Sequence, residues 1–337
     1  LPEGEGIAES GRGARAYADA LATYLAIAVS KATAFHNVLA RWRAGENKSA
    51  PGFGRQALPM IWDYAEVNPF ADAGGDFLGI IEGSAKAILS LPSGPTGNSI
   101  QGDAAETLNF DSCSFLFCTD PPYYDNIGYA DLSDFFYIWL KRSLKDIYAD
   151  IFGTILVPKA QELVATPYRF GGDRDKAQQF FEKGLRKAFD NMRKLTHPKY
   201  PLVVFYAFKQ SESEKESGLS SVAVSSTGWE SMLEGLISSG FSITGTWPGH
   251  TEGATRMNAM GTNALASSIV LVCRPRPDDA PIGTRKEFLS ALKRELPEAL
   301  RQLQKGNIAP VDLAQAAIGP GMAIFSRYSK VLEADGT

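Results

Sequence analysis

Cysteine is scarce in this 337-residue chain, which has only Cys113, Cys118 and Cys273. None forms a Cys-x-x-Cys pair, so no zinc site is readable and no metal is expected. So small a set also argues against a disulfide framework. A reducing, cytoplasmic setting is the expectation. Cys113 and Cys118 lie among apolar residues and read as core positions. A basic surplus is missing as well, because the formal net charge is -4. Free-standing nucleic-acid binders draw most of their affinity from phosphate contacts and carry an excess of Lys and Arg. Here basic character is only local, at Lys141-Arg142 and at Lys183, Arg186 and Lys187. The longest apolar run near the N-terminus, residues 21–29, is too short to span a bilayer. Leu1-Pro2-Glu3-Gly4 is neither basic nor apolar, so no signal peptide is expected. No Met opens the chain, which suggests a start inside a longer protein. Ser-His-Asp arrangements, Walker loops and metal-spaced His pairs are also lacking.

What is present is an ordinary globular composition, with 44% hydrophobic, 21% charged and 11% aromatic residues. That suffices for one large core or two smaller ones. Residues 14–42 repeat Tyr17, Leu21, Leu25, Ala28, Ala32, Phe35, Leu39 and Trp42 at helical spacing, predicting one long helix. Residues 56–66 suggest another helix, and 69–79 read as a loop. A short helix over 80–90 is stopped by Pro92-Ser93-Gly94-Pro95. Strands are predicted over 98–102 and, as an apolar run buried on both faces, over 113–119. Helices follow at 131–144 and 177–195, with a strand at 201–208 between the second of these and a helix at 229–238. Gly240 closes that last helix. Phe135, Phe136, Trp139 and Leu140 are expected in the core. Strands at 241–247 and 267–272 have no helix between them and should pair antiparallel. From Thr284 the tail is helical, with a capping box from Thr284 to Glu287 and Pro297 as a kink. The alternation of strand and helix predicts an α/β fold, with a mostly parallel sheet covered by helices on both faces. Three regions follow: a helical N-terminal segment at 1–95, a core at 96–278 and a helical tail at 279–337.

The chemistry-bearing motif is Asp120-Pro121-Pro122-Tyr123, at the end of Phe115-Leu116-Phe117-Cys118-Thr119. Open parallel sheets bind ligands at the carboxyl ends of their strands. Transfer of a methyl group to an exocyclic amine needs a nitrogen whose lone pair is freed from the ring. A carboxylate and a carbonyl, each accepting one amine hydrogen, favour that geometry. Asp120 offers the carboxylate, the Pro121 carbonyl the second acceptor, and Tyr123 a ring on which a flipped base can stack. Pro122 stiffens the loop. Tyr124, Asn126 and Tyr129 are candidates for further walls of a base pocket. A plain turn is the simpler reading of Asp-Pro-Pro-Tyr. The apolar strand before it and the aromatic helix after it favour a functional one.

The stretch DPPYYDNIGYADLSDFFYIWLKRSL resembles the prokaryotic adenine-specific DNA methylases that carry a zinc ribbon. RQALPMIWDYAEVNPF, ILVPKAQELVATPYR, PLVVFYAFKQ, GTNALASSIVLVCRPR and GNIAPVDLAQAAIGPGMA extend the resemblance over nearly the whole chain. It implies a Rossmann-like methyltransferase sheet that uses S-adenosylmethionine and methylates an exocyclic amine of DNA. It also implies catalytic roles for residues 120–123 and cofactor contacts at Gly102 and Asp103. As a residue pattern alone, Asp103 reads equally well as a helix N-cap. The chain departs from the family in lacking the zinc ribbon. It also lacks a convincing glycine loop, since Asn68-Pro69-Phe70 with Gly74-Gly75 follows a segment too polar for a buried strand. The sheet is therefore expected to lack N-terminal strands, and an upstream chain or segment to complete the cofactor site. Three functions stay open: a DNA amino-methyltransferase, an RNA or protein-amide methyltransferase, and a non-catalytic module that binds DNA or a partner chain.

Overall fold

The computed structural model describes residues 2–46, 48–53, 60–72, 74–92, 94–95, 97–106, 115–125, 127–206, 227–249, 268–305 and 319–333. The fold is mixed α/β with small sheets, and it divides into two compact units. The first comprises Leu1–Gln101 and Gly128–Glu162, the second Gly102–Ile127 and Leu163–Thr337.

In the first unit, α1 (Ala14–Thr33) packs against α2 (Phe77–Ser90) and α3 (Tyr129–Leu144). The long helix predicted to Trp42 ends at Thr33, nine residues early by those two numbers. Asn37 is the local cause. Its amide donates to the Thr33 carbonyl at 2.6 Å, and its Oδ1 accepts from the Leu39 backbone at 2.7 Å. Asn side chains compete in this way for backbone groups that a helix would use. Trp42 instead lies in β1 (Arg41–Arg43), which pairs antiparallel with β2 (Lys48–Ala50). The expected apolar stripe of α1 is also revised. Ala16, Ala26 and Ala28 are buried, whereas Tyr17, Leu21 and Leu25 are exposed. Small side chains let helices approach closely, and the long ones point elsewhere. Residues 60–66 of the second predicted helix are irregular, and 56–59 lie outside the described residues. The short helix is present as α2, capped by Asp76, whose carboxylate accepts from Gly79 at 3.0 Å. In α3 the buried aromatic is Tyr137, in a cluster with Ala26, Leu144 and Phe152. Its hydroxyl donates to the Thr154 carbonyl at 2.8 Å. Trp139, expected in the core, is 40% exposed, and Phe135 and Phe136 are half-buried around Phe53.

The second unit is built on a four-stranded sheet in the order β3-β4-β6-β5. Its strands are β3 (Cys118–Thr119), β4 (Leu202–Tyr206), β5 (Phe241–Gly249) and β6 (Ser268–Pro275). β3 and β4 are parallel, and β6 runs antiparallel to both β4 and β5. The expected antiparallel pairing of the last two strands is therefore present. Two helices, α4 (Arg174–Leu195) and α5 (Thr227–Ser238), cover one face. Asp173 caps α4 by accepting from Lys176 at 3.0 Å. Phe181, Leu185, Ala188 and Phe189 then recur at helical spacing and are buried. Phe181, Leu185 and Phe189 meet Leu202, Val204 and Tyr206 of β4, Leu271 and Cys273 of β6, and Trp229, Met232 and Leu236 of α5. Helices on both faces were expected of β4. Its burial instead alternates, with Val203 and Phe205 only half-buried, as in a strand packed mainly on one side. Gly240 follows α5 with φ +80°, a conformation glycine adopts without steric cost.

β3 departs furthest from expectation. A strand over 113–119, buried on both faces, was predicted. Among the described residues pairing is confined to Cys118–Thr119 and a bridge from Phe115 to Thr196, and residues 113–114 lie outside them. Leu116 is 56% exposed and Cys118 is exposed, not core. The reason is position: β3 ends the sheet order and has β4 as its one described neighbour. No strand forms over 98–102 to flank it.

The capping box and helix expected from Thr284 are present, whereas the two short strands of the tail were not expected. Thr284 and Glu287 exchange hydrogen bonds ahead of α6 (Arg285–Lys305), which contains Pro297. β7 (Ile282–Thr284) pairs parallel with β8 (Lys330–Leu332). The outer edge of β5 is covered by Ser326. Its hydroxyl accepts from the Ile243 backbone at 2.9 Å, and its carbonyl accepts from Ser242 at 2.8 Å.

Two tests follow. Leu185→Ala empties a fully buried site and should cost about 2–5 kcal/mol in denaturant unfolding. Burial pushes the Cys273 thiol up to about 12 from 9.0. The unfolded thiol loses its proton first, so the stabilisation is complete below pH 9 and is lost as pH rises from there toward 12. In a Cys113→Ser background, iodoacetamide should label Cys118 in the folded chain and Cys273 only after unfolding.

Candidate functional site

β3 delivers Asp120 to the carboxyl end of the sheet, where the chain turns through Pro121, Pro122 and Tyr123. Pro121 is buried, Pro122 and Tyr123 are half-buried, and Asp120 is exposed. The Tyr123 hydroxyl donates to Asp120 Oδ1 at 2.6 Å. The two side chains most important to the motif are therefore joined within one loop. Proline fixes φ at Pro121 and Pro122, and Tyr123 is anchored from below. Its ring meets the Tyr206 ring edge-on, with centroids 5.4 Å apart at 90°.

Tyr124 follows with φ +46°. A non-glycine residue in the left-handed region is uncommon and stores about 1–3 kcal/mol. Surrounding contacts hold it there. The Tyr124 carbonyl accepts from the Ala165 backbone at 3.0 Å, and its ring lies edge-on to Phe181 at 5.2 Å. Burial raises the Tyr124 phenol above its usual pKa, and the negative charges of Asp125 and Glu182 add to the effect. Tyr206 is raised for the same first reason, burial, with Asp125 and Tyr124 contributing. Both phenols thus stay neutral donors. The Tyr206 hydroxyl donates to the Gly228 carbonyl at 3.0 Å. Glu182 accepts from Gln178 at 2.8 Å and from Ser231 at 2.9 Å. Sequence reasoning singled out neither Tyr206 nor Glu182. A polar aromatic closing an apolar strand could have flagged Tyr206. Glu182 gives no local signal.

The other expected site residues fall elsewhere. Gly102 and Asp103 lie in a turn rather than at a strand end. Asp103 Oδ1 accepts from the Ala105 backbone at 2.8 Å, and the Asp103 carbonyl accepts from Glu106. This is neither the helix N-cap nor a strand-borne ligand. Asn191 of α4 fastens the turn by donating to the carbonyls of Ala104 and Glu106. Tyr129 is exposed at the start of α3, in the first unit. Asn126 lies outside the described residues. Gly74 and Gly75, also in the first unit, line a cavity of about 280 Å³ with Phe35 and Arg43. Among the described residues no group of three or more His, Cys, Asp or Glu could hold a metal ion, and no helix is long and apolar enough to cross a membrane.

Comparison with protein-family models, curated proteins and solved structures finds no match to this chain. The functional reading therefore stands on the residues themselves.

Replacing Tyr206 by Phe should leave the Gly228 carbonyl buried without that donor. The expected cost is about 1–3 kcal/mol in denaturant unfolding. An unchanged midpoint would mean that this hydrogen bond contributes little to holding the loop.

Proposed function

We propose that this chain carries the catalytic loop of a nucleic-acid amino-methyltransferase, with adenine in DNA as the favoured target. The observation that carries the reading is the Asp120–Tyr123 loop, held rigid at the carboxyl end of a parallel strand and braced by Tyr206. Open α/β sheets bind their ligands at that end. Strain concentrated next door at Tyr124 supports a functional loop, because a plain turn has no need of it. The resemblance of the motif and its following helix to adenine-specific DNA methylases narrows the target to DNA.

In this reading a base leaves its stack and brings its exocyclic amine to the loop. Asp120 accepts one amine hydrogen, and the Pro121 carbonyl accepts the other. The nitrogen lone pair is then turned away from the ring and becomes nucleophilic. Tyr123 offers its ring to the base, while its hydroxyl holds Asp120 in place beforehand. Such preorganisation removes the cost of orienting the acceptor during reaction. After alkylation the nitrogen sheds a proton. Asp120 can accept it and, being exposed, pass it to water.

S-adenosylmethionine is the methyl donor that the resemblance implies. The described residues do not form a cradle for it. Asp103 spends one oxygen on its own turn, and no glycine-rich turn follows a described parallel strand. This favours a second reading, in which the loop works only when another segment or chain adds the cofactor site beside β3. RNA or a protein amide as substrate would use the same amine geometry, and the net charge of -4 leaves room for it.

The test is methyl transfer from labelled S-adenosylmethionine to DNA, RNA and protein substrates. Asp120→Ala should lower the rate at least about a hundred-fold, with an unchanged melting temperature. Full activity in that variant would overturn the mechanism. Tyr123→Phe should retain stacking and lose only the brace on Asp120, giving a smaller loss. If the chain alone neither binds S-adenosylmethionine by calorimetry nor transfers methyl groups, the second reading is favoured.

A further inference from the structure

At the opposite edge of the same sheet, β5, α6 and the helical segment 319–325 enclose a cavity of about 820 Å³. That volume is in the range of sites that hold a small organic ligand. One wall is Trp247, which is 59% exposed. A solitary exposed Trp needs no explanation, but this one is built into place. The β5 register shifts between Ile243 and Gly245, leaving Thr244 unpaired in the ladder. Bulges of this kind re-aim neighbouring side chains. The Trp247 ring then lies against Gly245, where an added Cβ would come within 2.9 Å of it. The absence of a Cβ there leaves room for the six-membered ring of the indole.

Across the cavity stands a charged cluster. Glu295 is shared by two arginines, pairing with Arg294 at 2.9 Å and with Arg327 at 2.7 Å. The other lining acid, Glu298, pairs with Arg301 at 3.1 Å. Arg301 stands outside the cavity lining, and with it the cluster has three guanidinium groups against two carboxylates. Exposed ion pairs contribute little to stability, so an incoming anion can recruit Arg327 cheaply. Guanidinium groups present paired donors that match phosphate. An open indole face takes up the face of a base.

We propose that this cavity is a nucleotide site, with a base stacked on Trp247 and its phosphate held by Arg327 and Arg294. The site is separate from the Asp120 loop. β4 and β6 stand between β3 and β5, which puts about 14 Å between the two edge strands. Because β5 runs parallel to β3, Trp247 near its end lies on the same rim of the sheet as Asp120. The ligand could be a free nucleotide or one unit of a single strand, and both share this chemistry. The inference does not depend on methyl transfer.

The experiment is calorimetric titration of the 337-residue chain with deoxyadenosine monophosphate and, separately, with a short single-stranded oligodeoxyadenylate. Binding of the mononucleotide as tight as that of the oligomer assigns a free nucleotide. Markedly tighter binding of the oligomer assigns a strand. Trp247→Ala should weaken binding roughly 5- to 150-fold, and Trp247→Phe should restore most of it. If Trp247→Ala fails to fold by thermal melting, Arg327→Gln should weaken binding in its place, with a shallower salt dependence. Asp120→Ala should bind both probes as the parent does, even where it abolishes methyl transfer. Failure of both probes to bind would overturn the proposal. So would unchanged affinity in the folded cavity variants, or loss of affinity in Asp120→Ala.

Discussion

Tyr206 is completely buried while carrying a hydroxyl, and much of the second unit is arranged around that fact. A buried hydroxyl is tolerated when it is hydrogen-bonded, and the Gly228 carbonyl at the start of α5 accepts from it. The ring then serves two neighbours. It stacks on Trp229 with centroids 5.9 Å apart, and it supports Tyr123 edge-on. One residue at the end of β4 therefore couples helix, sheet and candidate catalytic loop. The loop adds its own constraints: two prolines, a tyrosine donating to Asp120, and Tyr124 held in an unfavourable backbone conformation. Rigidity there comes from packing against a core, and the loop's short sequence span could not supply it alone.

The two edges of the sheet present different chemistry. Beyond β3 an exposed carboxylate is joined to a half-buried phenol. Beside β5 an exposed indole and two arginines line one cavity. Both arrangements rely on the sheet order, which sets β3 and β5 apart while aligning their ends. Among the described residues β3 has β4 as its one neighbour, and Leu116 is in solvent. A parallel strand is ordinarily covered on both faces.

The contrast between elements that matched their patterns and those that did not has a common cause. α4, α5 and the β5–β6 pair were legible because their apolar positions recur at one period over many residues, with Gly240 closing α5; the Asp173 cap was not read, and α4 begins three residues before the expected 177. α1 was over-extended because Asn37 stops it through side-chain bonds that an apolar repeat does not register. Trp139 was misplaced because Tyr137, two residues earlier, takes the buried position. Asp103 reads alike as a ligand or a cap, and its actual partner is the backbone two residues on.

The sequence by itself determined the α/β class, the caps at Gly240 and Thr284, and the position of Asp-Pro-Pro-Tyr after an apolar run. These are local matters, decided by side-chain period, turn chemistry and the order of residues along one segment. Only the tertiary structure decided that β3 ends the sheet among the described residues, that Tyr206 and Glu182 lie near the loop, and that Trp247 and Arg327 line one cavity. Each of these joins residues far apart in the chain, or depends on which neighbour a strand finds. Burial and electrostatics act through space, and a pattern read along the chain carries no measure of that distance.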